Sequence, residues 1–228
     1  MHDLLVGREA ELAIFDEVVE RAAARRGGVV LVNGEPGIGK TRLLEEVAAR
    51  ASARGFVTAW GRAWEVGHAP PYWPWIEVLR ALFALPGGRD DGLTELLPEL
   101  GGGAATARGA DAFTVSDRIA SYLHAAGERA PLLVLLDDLH AADPSSVHTA
   151  ELAARQIRRA RVAIVASHRD VEARLVPAID ASLGRLGRVA ERIAVGRLDA
   201  GHVRALVTEA LGRDDAEGDL RPAPELQG

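Results

Sequence analysis

The sequence contains no cysteine, so disulfides, thiolate zinc sites and cysteine nucleophiles are excluded from the outset. Lysine is nearly absent too: of the 27 Lys and Arg residues, all but Lys40 are arginine. A GC-rich coding bias explains the arginine excess and also fits the abundance of alanine and glycine. No apolar run approaches the roughly 18 residues that a membrane span requires. Met1-His2-Asp3-Leu4 lacks the basic and apolar segments of a secretory signal. A cytoplasmic protein with no membrane partner is therefore expected. The net charge of −6 argues against a broad nucleic-acid footprint on this segment. With 228 residues, 48% hydrophobic and 26% charged, the chain has the length for one large α/β domain or a domain plus a fragment.

Apolar residues at helical spacing (Leu12, Phe15, Val18, Val19, Ala22) predict a helix over 9–24, stopped by Gly27-Gly28. Val29–Val32 is wholly apolar, the pattern of a strand buried on both faces. A glycine loop follows, then a helix from Lys40 to Arg54 and a second strand at Phe56–Trp60. From Arg62 to Ala112 the pattern is irregular, with a helix at Trp75–Leu85 and a glycine-rich, weakly specified stretch over 86–109. Phe113–Ala126 reads as an amphipathic helix, Leu132–Leu136 as a third buried strand, and Pro144 opens a helix continuing through Ser145–Arg158. Val162–Ala166 is a fourth strand, Pro177–Leu186 a helix, Val189–Val195 a fifth strand and Ala200–Leu211 a last helix. Strands that are continuous apolar runs and alternate with helices imply a parallel sheet sandwiched by helices, a three-layer α/β fold. The charged tail from Arg213 to Gly228 is expected to fray.

Gly34-Glu35-Pro36-Gly37-Ile38-Gly39-Lys40-Thr41 satisfies the phosphate-loop pattern in its required context, after an apolar strand and at a helix start. Its glycines let backbone N–H groups point inward, and the helix N-terminus adds partial positive charge. Lys40 is suited to bridge the β- and γ-phosphates of ATP, and the Thr41 hydroxyl to ligate Mg²⁺. A planar guanidinium would not fit between two phosphates as a compact ammonium does, which accounts for one lysine in a chain that otherwise uses arginine. The expected nucleotide-binding set runs through Gly34, Glu35, Pro36, Gly37, Ile38, Gly39, Lys40, Thr41 and Arg42. The plain alternative is a glycine-rich turn capping a helix.

Asp137 closes the run Leu132–Leu136, where a carboxylate at a strand's carboxyl end holds Mg²⁺ in nucleoside triphosphatases. Asp138 follows where a base could polarise the attacking water, although the shorter Asp replaces the Glu often used there. Two solvated turn aspartates, one capping a helix, are the alternative. Arg169, beyond the fourth strand, emerges on the same sheet edge and can sense a γ-phosphate. A surface ion pair with Asp170 or Glu172 would serve equally well. All four tryptophans (Trp60, Trp64, Trp73, Trp75) fall within sixteen residues, as a satellite core beneath an insertion or as a partner surface. His68 and His140 are lone histidines without a metal-ligand pattern, read as turn or supporting residues.

Val6-Gly7-Arg8-Glu9, the glycine loop, Pro71-Tyr72-Trp73-Pro74-Trp75, Leu136-Asp137-Asp138-Leu139-His140-Ala141-Ala142-Asp143 and His168-Arg169-Asp170 occur in that order. Together they resemble the ATPase module of the STAND class within the AAA-type P-loop proteins, as found at the head of large LuxR-type transcriptional regulators. The resemblance covers residues 4 to 211. It implies that Val6, Gly7 and Arg8 lie against adenine, that Asp137 is the Mg²⁺ carboxylate and that Arg169 is the strand-end sensor. One departure is Ala141, where a tryptophan usually follows the histidine. The resemblance further implies a core over 1–197 with an insertion around 61–112, and a partial lid over 198–228. The lid's later helices and the DNA-binding region of such regulators are missing, as in a fragment, a truncated product or a standalone module.

The expected function is a slowly hydrolysing, ATP- and Mg²⁺-dependent switch whose ADP and ATP states differ in conformation or self-association with partner domains. Rival readings are an oligomeric motor or loader and a non-hydrolysing scaffold that holds ADP.

Overall fold

The computed structural model describes residues 5–64, 69–101 and 111–211. His68, part of the stretch over 86–109 and the tail over 213–228 lie outside them. The elements run α1 (Glu9–Ala23), β1 (Gly28–Asn33), α2 (Lys40–Ala53), β2 (Val57–Arg62), α3 (Trp73–Phe83), α4 (Asp91–Leu96), α5 (Ala112–Arg129) and β3 (Leu132–Asp137). They continue through α6 (Pro144–Gln156), β4 (Val162–His168), α7 (Asp170–Arg174), α8 (Pro177–Leu186), β5 (Glu191–Ala194) and α9 (Ala200–Leu211). Short 3₁₀ turns cover Pro98–Gly101, Leu139–Ala141 and Ile157–Arg159.

The five strands form one parallel sheet in the order β2-β3-β4-β1-β5. Alternation along each strand sends successive side chains to opposite faces. Val30, Val32, Leu133, Leu135, Ala163 and Val165 pack with α1 and α2 in one core cluster. Their neighbours Leu31, Leu132, Val134, Leu136, Ile164 and Ala166 pack with α3, α5, α6 and α8 in the other. The result is the P-loop NTPase-like three-layer fold that the apolar runs imply.

Two sequence expectations need correction. The region after β2 is no satellite: Trp75 is fully buried in the main core, and its indole Nε1 donates to Ser146 O at 2.9 Å. Gly61 permits this, since a Cβ there would stand 2.0 Å from Pro74 O. Trp73 packs against the same core, Trp60 packs on the opposite face, and Trp64 is 63% exposed, so the tryptophans share no common cluster. The stretch read as weakly specified contains α4, capped by Asp90, whose carboxylate accepts from Leu93 N at 2.9 Å. The five-residue α7, too short for a periodic signal, was also not foreseen. Among the described residues no helix is long and apolar enough to cross a membrane.

Candidate nucleotide site

β1 delivers the chain to the sheet's carboxyl edge, and the glycine loop turns it into α2. Gly37 (φ 72°) and Gly39 (φ 98°) adopt left-handed backbone that side-chain-bearing residues avoid, and Gly39 caps α2 directly. Added Cβ atoms at either position would meet nothing within 4 Å, so backbone conformation and not crowding calls for glycine there. Lys40 is buried; its Nζ donates to Gly34 O at 2.9 Å and Glu35 O at 3.0 Å. Burial lowers its pKa and the nearby Arg169 adds to this, while Asp138, Asp137 and Glu172 oppose it. Glu35 is exposed and pairs with Arg197 at 2.8 Å, and Arg42 lies near Glu45 and Glu46 along α2. A pocket of about 250 Å³ separates the loop from α7 and the segment after β5, with Pro36, Ile38, Arg169, Glu172 and Gly196 among its walls.

Parallel pairing of β3 and β4 brings Asp137 beside this loop. The Thr41 hydroxyl donates to Asp137 Oδ2 at 2.9 Å. The other carboxylate oxygen, Oδ1, accepts from Ser167 Oγ at 2.5 Å, and Ser167 is fully buried at the end of β4. Ser167 Oγ in turn accepts the Asp138 N–H at 2.8 Å. That bond anchors a left-handed residue, because Asp138 has φ 55°, a conformation that persists in a non-glycine residue only where surroundings fix it. Arg62, at the end of β2, adds a guanidinium 3.9 Å from Asp137 Oδ2.

These residues suit the phosphates of a nucleotide with a divalent cation. Mg²⁺ keeps several waters and takes one or two protein oxygens besides substrate phosphates. The hydroxyl–carboxylate pair of Thr41 and Asp137 supplies such oxygens.

Asp138 and Arg169 meet across the edge: the Arg169 guanidinium is 3.6 Å from Asp138 and 3.4 Å from Glu172. Arg169 therefore reaches the loop's edge, and the Glu172 ion pair foreseen as its alternative is also present. His140 is buried, with Nδ1 3.8 Å from Asp138 Oδ1, a supporting position as expected. Asp143, after Ala141 and Ala142, caps α6 through Ser146 N and also accepts from Tyr72 N at 2.9 Å.

Gly7 (φ 69°) sits against the His202 ring of α9, where a Cβ would come within 2.6 Å. Arg8 is buried and ties three segments: it pairs with Glu11 at 3.1 Å and donates to Ile38 O at 3.2 Å and Gly196 O at 2.7 Å. Arg8 thus flanks the loop beside the passage from β5 to α9, and Gly7 lies against α9.

Sequence reasoning missed Ser167 and Arg62. Both act across strands, so only the register Leu136↔Ala166 and Arg62↔Asp137 reveals them. A hydroxyl at the strand end preceding Arg169 was the available signal.

The chain resembles known proteins over most of its length. It is 28% identical over 195 residues to an uncharacterized protein of Rhizobium meliloti, a match covering 72% of this chain and 18% of that protein. Two solved structures share its fold. One is Drosophila ORC bound to DNA (TM-score 0.55, 17% identity, 93% of this chain and 48% of that one). The other is a DNA replication initiation factor (TM-score 0.51, 16% identity, 92% of this chain and 53% of that one). This chain therefore spans under a fifth of the curated relative and about half of each structural one. The family model of the AAA ATPase domain matches residues 4–165, a span that includes the glycine loop, Asp137 and Asp138. This chain belongs to the AAA ATPase domain family.

Proposed function

We propose that this chain is a nucleotide-dependent switch that binds ATP with Mg²⁺, hydrolyses it slowly and passes the result on as a change of conformation or assembly. The observation that carries the reading is the Thr41 hydroxyl 2.9 Å from the Asp137 carboxylate, at the mouth of a left-handed glycine loop beside buried Lys40. Loop N–H groups and Lys40 hold the β- and γ-phosphates. Thr41 and Asp137 would hold Mg²⁺, which would supply positive charge against the phosphates when bound. Asp138 accepts a proton from the water that attacks the γ-phosphorus as the bond to the bridging oxygen breaks. Arg169 chooses between anions: Asp138 and Glu172 in one state, the γ-phosphate in the other. That choice gives ATP and ADP the differential affinity for two conformations that a switch needs.

The resemblance to STAND modules supports a place at the head of a bacterial signalling or transcriptional regulator, with α9 as the first helix of a lid over 198–228. Partners are then nucleotide and other protein domains or further copies of the chain. The net charge of −6 supports no broad nucleic-acid footprint on this segment.

Denaturing the purified protein, identifying the released nucleotide and measuring turnover tests this reading. Tightly held ADP with turnover well below about one per second fits the switch. Turnover that climbs steeply with protein concentration would indicate an oligomeric motor, and none at any concentration a scaffold. Asp138→Asn is expected to keep ATP binding and lose turnover; normal hydrolysis would place the base elsewhere.

A further inference from the structure

We propose that a second small-molecule site, for an α-amino acid, lies on the sheet face opposite α2. A pocket of about 220 Å³ opens there at the carboxyl ends of β1 and β4, beneath α7 and α8 and beside β5. Leu31, Ala173 and Leu183 line it with apolar surface. Its polar groups are Asn33, His168, Asp170, Arg174, Asp180 and Arg192.

Three of these form a fixed platform. Asn33 Nδ2 donates to Asp170 Oδ2 at 2.7 Å, and His168 Nε2 lies 3.0 Å from Asp170 Oδ1. His168 is only 9% exposed, and its Nδ1 is buried without a hydrogen bond among the described residues. Burial lowers the His168 pKa against the opposing pull of Asp170. The other three groups come from α7, α8 and β5, and enter none of the ion pairs among the described residues.

Gly184 belongs to the same lining. It lies inside α8, where glycine costs helix stability relative to alanine. No neighbour requires it, because a Cβ there would meet nothing within 4 Å. What its missing side chain does is leave the pocket wall open.

The charges select the ligand class. Arg174 faces the charge of Asp170, which leaves Arg192 to take a carboxylate and Asp180 to receive an ammonium. Arginine and aspartate balance in this pocket, so a zwitterion matches it while a simple acid or amine leaves one sign unanswered. Leu31, Ala173 and Leu183 offer only a small apolar surface, which suits a short side chain. The pocket also touches the nucleotide machinery, since Asn33 precedes Gly34 and Asp170 follows Arg169. Occupancy would steady the Asn33–Asp170–His168 platform between loop and sensor and change nucleotide exchange, a consequence that rests on the switch reading as binding itself does not.

Calorimetric titration of the full chain with a panel of α-amino acids tests the site, with the matching amines and carboxylic acids as controls. At least one amino acid is expected to bind with Kd at or below about 1 mM, and its amine and acid analogues at least about tenfold more weakly. Arg192→Ala and Gly184→Phe should each weaken binding by about tenfold or more, with nucleotide affinity unchanged. The saturating amino acid should shift the release rate of a fluorescent ADP by about threefold or more. Retained binding in Lys40→Ala would support a site separate from the nucleotide. If nucleotide binds and no amino acid does below about 10 mM, this site alone is refuted. Binding that survives both pocket variants would also refute it, and an unchanged ADP release rate would overturn the effector role.

Discussion

Ser167 is the residue on which the geometry of the candidate site turns. A single buried hydroxyl donates to Asp137 and accepts from the strained Asp138 backbone, fixing both acidic groups at once. Partners that orient a metal ligand typically change metal affinity or activity by about 10- to 100-fold when removed. Ser167→Ala is therefore expected to raise the Mg²⁺ concentration for half-maximal ATP turnover by at least about tenfold, while Mg²⁺-free nucleotide binding stays within about twofold. Titrating turnover against Mg²⁺ checks this, and an unmoved midpoint would assign Ser167 to structure alone. Arg169 sits in a different position, shared between Asp138 and Glu172 at 3.6 and 3.4 Å. Arg169→Ala should reduce discrimination between ATP and ADP by about tenfold, the scale of one lost charge-assisted contact. Paired affinity measurements decide it; an unaltered ratio removes the sensor role.

Among the elements, the central strands were legible because parallel strands buried on both faces become unbroken apolar runs, as Leu132–Leu136 and Val162–Ala166 do, whereas β2 and β5 are partly exposed. The glycine loop was legible because its pattern and its strand–helix context agree. Other features depend on contacts distant in sequence. Nothing local shows that Trp75 donates to Ser146 O across 71 residues, or that Gly61 admits α3 against β2. The short α4 and α7 have too few turns for periodicity to register, although Asp90 was a readable cap. Arg8 bonds to Ile38 O and Gly196 O, 30 and 188 residues away, and local sequence carries no sign of either tie. Because α3 belongs to the main core, Trp75→Ala should destabilise the domain by about 3–5 kcal/mol. Urea unfolding measures this; a loss under about 1 kcal/mol would return α3 to the status of a satellite.

Across the whole molecule, one sheet edge gathers the ends of four strands and separates two kinds of chemistry by face. The glycine loop, Thr41, Asp137 and Ser167 serve the α2 side, while Asn33, His168 and Asp170 face the other. Arg8 joins this edge to the passage toward α9, with a buried guanidinium on two backbone carbonyls and Glu11. Hydrogen bonds to charged groups contribute about 1.5–3 kcal/mol each, so Arg8→Ala should lower stability by about 2 kcal/mol or more. It should also speed ADP release, because the loop and the α9 passage lose their common tie. Stopped-flow release of a fluorescent ADP tests that coupling, and an unchanged rate alongside lower stability would limit Arg8 to packing.

Whether residues 34–41 hold the phosphates of a nucleotide is decided by titrating fluorescent ATP into wild type and Lys40→Ala. Saturable binding by wild type with Kd of about 10 µM or tighter, weakened at least about 100-fold in Lys40→Ala, is the predicted result. Equal affinity in the two proteins would contradict it.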